Sequence, residues 1–169
     1  MLPVGQGRGR FDAPAISPVW YLAETATHAV AEILQSFRGQ EVGPAELVRF
    51  KHPLALVEAT LPPADAARVL DLCDPAQLLA RGLRPDALAS RNRTTTQRIS
   101  QQLATGGGTH LPAPGFRWWS ALDGDWHSII LYHANLPAGA LAFGTPAPLV
   151  IDSPAVVAAC DALAITRRP

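Results

Sequence analysis

Sixteen prolines and 13 glycines are spread along the 169 residues rather than gathered into one tract. Proline stops helices and cannot donate to a strand ladder, and glycine favours turns. The chain is therefore built of short elements joined by many turns, which excludes a bundle of long helices and leaves much of any site to loops. Its length suits one domain over residues 1–169 around a single core. At 48% hydrophobic and 17% charged residues, it has material for that core and too little excess charge to stay disordered.

Charge narrows the partners. Lysine plus arginine equals aspartate plus glutamate, 14 each, so no general field attracts nucleic acid, and direct nucleic-acid binding is not expected. Cys73 and Cys160 are far apart and form no CxxC pair, which argues against a disulfide framework or zinc site and for two buried thiols. The five histidines show no HExxH or comparable ligand spacing, so no metal is expected and the histidines read as structural. Residues 1–14 lack the apolar stretch of a secretory signal. The apolar region from Leu136 to Ile151 is broken by Pro137, Gly139, Gly144, Pro146 and Pro148, so it cannot span a bilayer as a helix. A cytoplasmic protein without membrane contact is the expectation.

Val19 to Ala23 reads as a buried strand after Pro18. Thr25 or Thr27 then caps a helix in which Ala26, Ala29, Val30, Ile33, Leu34 and Phe37 recur every three or four residues, ending near Gly39. Glu32 lies at the edge of that stripe, where a carboxylate needs a partner or a cleft. Leu54 to Leu61 reads as a strand, and Asp65 to Leu72 as a short helix or return strand. Thr94 to Thr105 reads as a polar helix capped by its threonine run and closed by Gly106, Gly107 and Gly108. Phe116 to Ala121 and Ser128 to His133 form a hairpin, Gly139 to Ile151 a broken strand, and Pro154 to Leu163 a closing helix. An early helix and strands crowded into the second half give an α+β fold. Gly5-Gln6-Gly7-Arg8-Gly9 lacks the preceding strand and following helix of a phosphate loop and reads as a turn presenting Arg8 and Arg10.

Three segments carry a resemblance. Gly9-Arg10-Phe11 through Pro14, then Val19-Trp20-Tyr21-Leu22-Ala23-Glu24-Thr25-Ala26 and on to Ala31-Glu32, is the first; Pro53-Leu54 through Val69-Leu70-Asp71-Leu72-Cys73-Asp74-Pro75 with Gly82-Leu83 is the second. The third is Gly115-Phe116-Arg117-Trp118-Trp119-Ser120, followed by Asp123-Gly124 and Ile129-Ile130-Leu131-Tyr132. Together they resemble the RES domain, a family named for its Arg, Glu and Ser. One extra residue lies between Phe11 and Tyr21, and the segment before the arginine motif is short.

The resemblance implies an ADP-ribosyltransferase-like fold with central antiparallel or mixed β-sheets and flanking helices. It implies the toxin of a type II toxin–antitoxin system that degrades NAD by cleaving the nicotinamide glycosidic bond, as glycohydrolase or phosphorylase. NAD is then substrate, with no resident cofactor, and the partner is an Xre-like antitoxin in a hetero-oligomer. Arg10, Tyr21, Glu32 and Ser120 fall at the family's site positions. Loss of nicotinamide leaves positive charge on the ribose. Glu32 would supply the anion, a pair about 4 Å apart at a dielectric of about 20 being worth roughly 4 kcal/mol, or about three decades in rate. Arg10 would grip the pyrophosphate with its planar fork. Tyr21 would stack on the nicotinamide ring or sugar, and Ser120 would bind the ribose or orient Glu32.

Taken singly, each residue has a plainer reading: a solvated Arg10, a surface Glu32, a core Tyr21, a solvent-facing Ser120. Trp118, Trp119 and Trp126 read as core before they read as an aromatic wall. Arg91, Arg93 and Arg98 read as a solvated face or as a docking or phosphate surface. The alternatives to NAD degradation are mono-ADP-ribosyl transfer to a protein or nucleotide target and a non-catalytic interaction module.

Overall fold

The computed structural model describes residues 7, 9–16, 18–107 and 110–168. Its fold is mixed α and β, with six α-helices among the described residues. The organising element is a four-stranded sheet in the order Val19–Ala23, His127–Tyr132, Gly115–Trp119, Leu70–Asp71. The first two neighbouring pairs are antiparallel and the last is parallel. The expected hairpin is present, and Gly115 explains its close start: a Cβ there would lie 2.1 Å from the Ile130 carbonyl oxygen. On the back face Arg117 ties the parallel edge together, reaching both Asp71 oxygens (3.1 and 3.2 Å) and Glu24 Oε1 (2.6 Å). Between Leu54 and Leu61, a segment flanked by Pro53 and Pro62, the single expected strand is divided into two separate two-residue strands. Ala55–Leu56 pairs with Ala147–Pro148, and Ala59–Thr60 with Ala142–Phe143. Asp65 to Leu72 divides between a helical turn, Pro63–Ala66, and the edge strand Leu70–Asp71.

There are two hydrophobic clusters where the sequence led us to expect one. In the first, Val19, Phe116, Trp118, Ile130 and Tyr132 of the sheet pack on Ile99, Leu103 and Ala104 of the helix Arg93–Thr105. In the second, Val30, Ala31 and Leu34 of the helix Ala26–Leu34 pack on Val156, Ala159, Cys160 and Leu163 of the helix Pro154–Leu163. Cys160 is buried as expected, whereas Cys73 is only partly so; burial beside Asp71 nonetheless pushes its thiol up to about 11.

The helix Arg93–Thr105 shows why a polar sequence lies against the core. It is capped by Asn92, not by the threonine run, and ends on Gly106 in the left-handed region at φ 73°; Gly108 lies outside the described residues. Besides Ile99, Leu103 and Ala104 it buries two polar residues, Thr96 and Ser100, one helical turn apart. Thr96 Oγ1 donates to the Arg10 carbonyl, Ser100 Oγ donates to the Phe11 carbonyl, and Gln97 Nε2 donates to the Gly9 carbonyl at 3.0 Å. The hydroxyls satisfy the carbonyls of an irregular segment that has no ladder of its own. The single Ser100 proton goes to Phe11, so the Tyr132 hydroxyl, 3.0 Å away, is the donor to Ser100.

Ser100→Ala leaves that carbonyl and the Tyr132 hydroxyl unsatisfied in a buried setting. The unfolding free energy should fall by about 1–3 kcal/mol, read as a lower urea midpoint at unchanged slope. A change below about 0.5 kcal/mol, typical of surface positions, would show that the clamp is not holding the segment.

Candidate active site

The helix Ala26–Leu34 starts where Thr25 turns into extended backbone and its hydroxyl accepts the His28 N–H at 3.1 Å. Its buried residues are His28, Val30, Ala31 and Leu34, and Glu32 stands beside them, with 38% of its side chain exposed. Both carboxylate oxygens are engaged. Oε1 accepts from Ser120 Oγ at 2.9 Å and lies 3.1 Å from His28 Nε2; Oε2 accepts from Gln35 Nε2 at 3.0 Å. These bonds, the His28 one foremost, hold the carboxyl below its ordinary range although burial pushes the other way. Ser120 follows the strand Gly115–Trp119. Its N–H donates to the Trp126 carbonyl at 2.8 Å, and its Oγ accepts the Leu122 N–H at 3.1 Å.

Arg10 and Tyr21 approach from the other side. Arg10 Nη2 donates to the Leu88 carbonyl, so part of the fork expected to be free for a ligand is used by the fold. Its Nε is buried with no hydrogen-bond partner among the described residues. Burial lowers the guanidinium from its usual range, while Tyr21 and Glu32 act in the opposite direction. Tyr21 keeps 46% of its surface exposed in its strand. Its hydroxyl accepts the Phe11 N–H at 2.8 Å and donates to Asp12 Oδ1 at 3.3 Å. Gly9 is required beside it, because a Cβ there would sit 2.5 Å from both the Tyr21 hydroxyl and Asp12 Oδ1.

All four residues singled out in the sequence, Arg10, Tyr21, Glu32 and Ser120, line one cleft of about 410 Å³, within the size range of small-molecule sites. Trp118, Trp119, Gln35 and Ile33 also line it. Trp118 is buried core as well as wall, whereas Trp119 is 38% exposed. Trp126 stacks on His28. Arg91, Arg93 and Arg98 are all exposed; Gly5, Gln6 and Arg8 lie outside the described residues. Among the described residues no three His, Cys, Asp or Glu side chains converge as a metal site. No described helix is long and apolar enough to cross a membrane. Sequence reasoning missed the roles of His28 and Gln35, although their spacing of four and three residues from Glu32 puts all three on one helix face.

Compared with known protein families, the sequence matches the RES domain over residues 2–152. The chain belongs to the RES domain family. No curated protein matches it significantly in sequence. Among solved structures, a chain of the crystal structure of the M. tuberculosis MbcT-MbcA toxin-antitoxin complex shares its fold. The TM-score is 0.54 at 18% identity, over 84% of this chain and 72% of that one. The RES match stops before the helix Pro154–Leu163, yet that helix is what backs the Glu32 helix in the second cluster.

Because the folded Glu32 carboxyl lies below its unfolded value of about 4.3, its ionisation stabilises the fold above that pH, and this contribution is lost as pH falls through the folded value. The gap in urea midpoint between wild type and Glu32→Gln should therefore be wider at about pH 6 than at about pH 2.5. A gap that stays constant would mean that Glu32 gains nothing from its three partners.

Proposed function

We propose that this RES domain is the toxin of a toxin–antitoxin pair and that it degrades NAD at the bond between nicotinamide and ribose. The observation that carries the reading is the convergence of Arg10, Tyr21, Glu32 and Ser120 on one cleft, with Ser120 2.9 Å from the Glu32 carboxylate. As the glycosidic bond breaks, its electron pair leaves with nicotinamide and positive charge develops on the ribose. Glu32, held ionised by His28, Ser120 and Gln35, is the anion placed to stabilise that charge without reorganising. Arg10 lines the same cleft with one arm committed to Leu88, and the rest of its fork would meet an anionic oxygen of the pyrophosphate. The exposed Tyr21 face and Trp119 supply stacking surfaces for the ring that leaves. Water as acceptor gives ADP-ribose and a proton; inorganic phosphate gives the ribosyl phosphate. The partner in this reading is an Xre-like antitoxin that closes the cleft in a hetero-oligomer. It is supported by the family and by a fold shared with a chain of a toxin–antitoxin complex.

NAD loss and nicotinamide release by the purified protein, with and without phosphate, test this directly. Glu32→Gln should lower the rate by about a hundredfold or more, and a phosphate requirement would name the acceptor. Intact NAD in every tube would overturn the reading in favour of ADP-ribosyl transfer to a macromolecular target or of a non-catalytic module.

A further inference from the structure

His28 is 1% exposed and lies one helical turn before Glu32. Its ring stacks on Trp126 with centroids 5.3 Å apart and planes at 27°, and the carbonyl of that same Trp126 accepts the Ser120 N–H. The turn that braces the histidine thus also fixes the serine. His28 Nδ1 is buried and has no hydrogen-bond partner among the described residues. A proton on Nδ1 would be a buried donor without an acceptor, which is costly. The tautomer that fits carries its proton on Nε2 and donates it to Glu32 Oε1. Oε1 then receives two donors, His28 and Ser120, and both of its lone-pair directions are occupied. Among the described residues Oε2 receives Gln35 alone.

We infer that His28 is the positioning residue for Glu32. Together with Ser120 it commits Oε1, so that Oε2 is the oxygen Glu32 presents to a sugar hydroxyl or to the incoming acceptor. The inference rests on the proposed NAD cleavage only for the identity of that ligand. The charged and titratable groups around Glu32 are His28 on its own helix and Arg10 from the N-terminal segment, with Tyr21 lining the same cleft; Ser120 and Gln35 are uncharged donors. Of these, His28 and Ser120 alone reach Oε1.

The test compares wild type with His28→Leu, His28→Phe and His28→Gln. Phenylalanine keeps a ring on Trp126 without an N–H, and it replaces the leucine variant should that one fail to fold. Glutamine restores an N–H donor at the same helical spacing. Two quantities are read: the titration midpoint of the Glu32 carboxyl by carbon-13 NMR, and kcat and KM for NAD. The donor-free variants should raise the midpoint, move the acid limb of kcat/KM to higher pH, and lower kcat by about ten- to a hundredfold with little change in KM. His28→Gln should recover most of each. An unmoved midpoint in a folded donor-free variant, or no recovery in a folded His28→Gln, overturns the inference. If wild type leaves NAD intact while the midpoint shifts and recovers as described, the reaction assignment falls and the positioning role stands.

Discussion

The antiparallel pairing of Val19–Ala23 with Ser128–Tyr132 is the constraint on which the site depends. Tyr21 sits within the first strand, and two residues beyond its end Thr25 caps the helix that carries Glu32. The partner strand is also the partner of Gly115–Trp119, whose exit delivers Ser120. One shared neighbour therefore sets the offset between helix and serine. A slip of one residue in either pairing would turn Tyr21 or the run towards Ser120 to the opposite face. Gly115, against the Ile130 carbonyl, and Trp118, buried in the core, oppose such a slip.

Within that frame the cleft holds opposed tendencies in balance. Burial disfavours the charged forms of both Glu32 and Arg10. For Glu32 three donors more than offset it; for Arg10 the neighbouring Tyr21 and Glu32 do not, and its Nε has no acceptor among the described residues. The site is thus satisfied on its anionic side and unsatisfied on its cationic side. Such an imbalance favours a ligand that brings negative oxygens to one end and developing positive charge to the other.

Much of this was legible in the sequence. The first strand, the Glu32 helix with its Thr25 cap, the hairpin whose connection holds Ser120 and the closing helix Pro154–Leu163 all follow from periodicity and turn residues. These are segments whose own pattern decides their state. The division of the 54–61 segment was not legible, because its two-residue strands take their partners from a segment some eighty to ninety residues away, and no local pattern encodes that. The burial of Thr96 and Ser100 within a polar helix was not legible, because nothing in the sequence marks the carbonyls of Arg10 and Phe11 as their acceptors. His28 shows no metal-ligand spacing in the sequence, and its partner is instead a carboxylate one helical turn away. The four site residues were found through their places in a family pattern; taken one at a time, each reads as ordinary.

The strap that carries Arg10 is gripped by its carbonyls. Thr96, Gln97 and Ser100 hold the backbone at residues 9, 10 and 11, each through a main-chain carbonyl. The grip is therefore blind to what side chain stands at position 10. Anchorage and ligand chemistry overlap there only through the one guanidinium arm that reaches the Leu88 carbonyl. The strap is a socket in which a different side chain gives up that single bond while the backbone grip beneath it is kept.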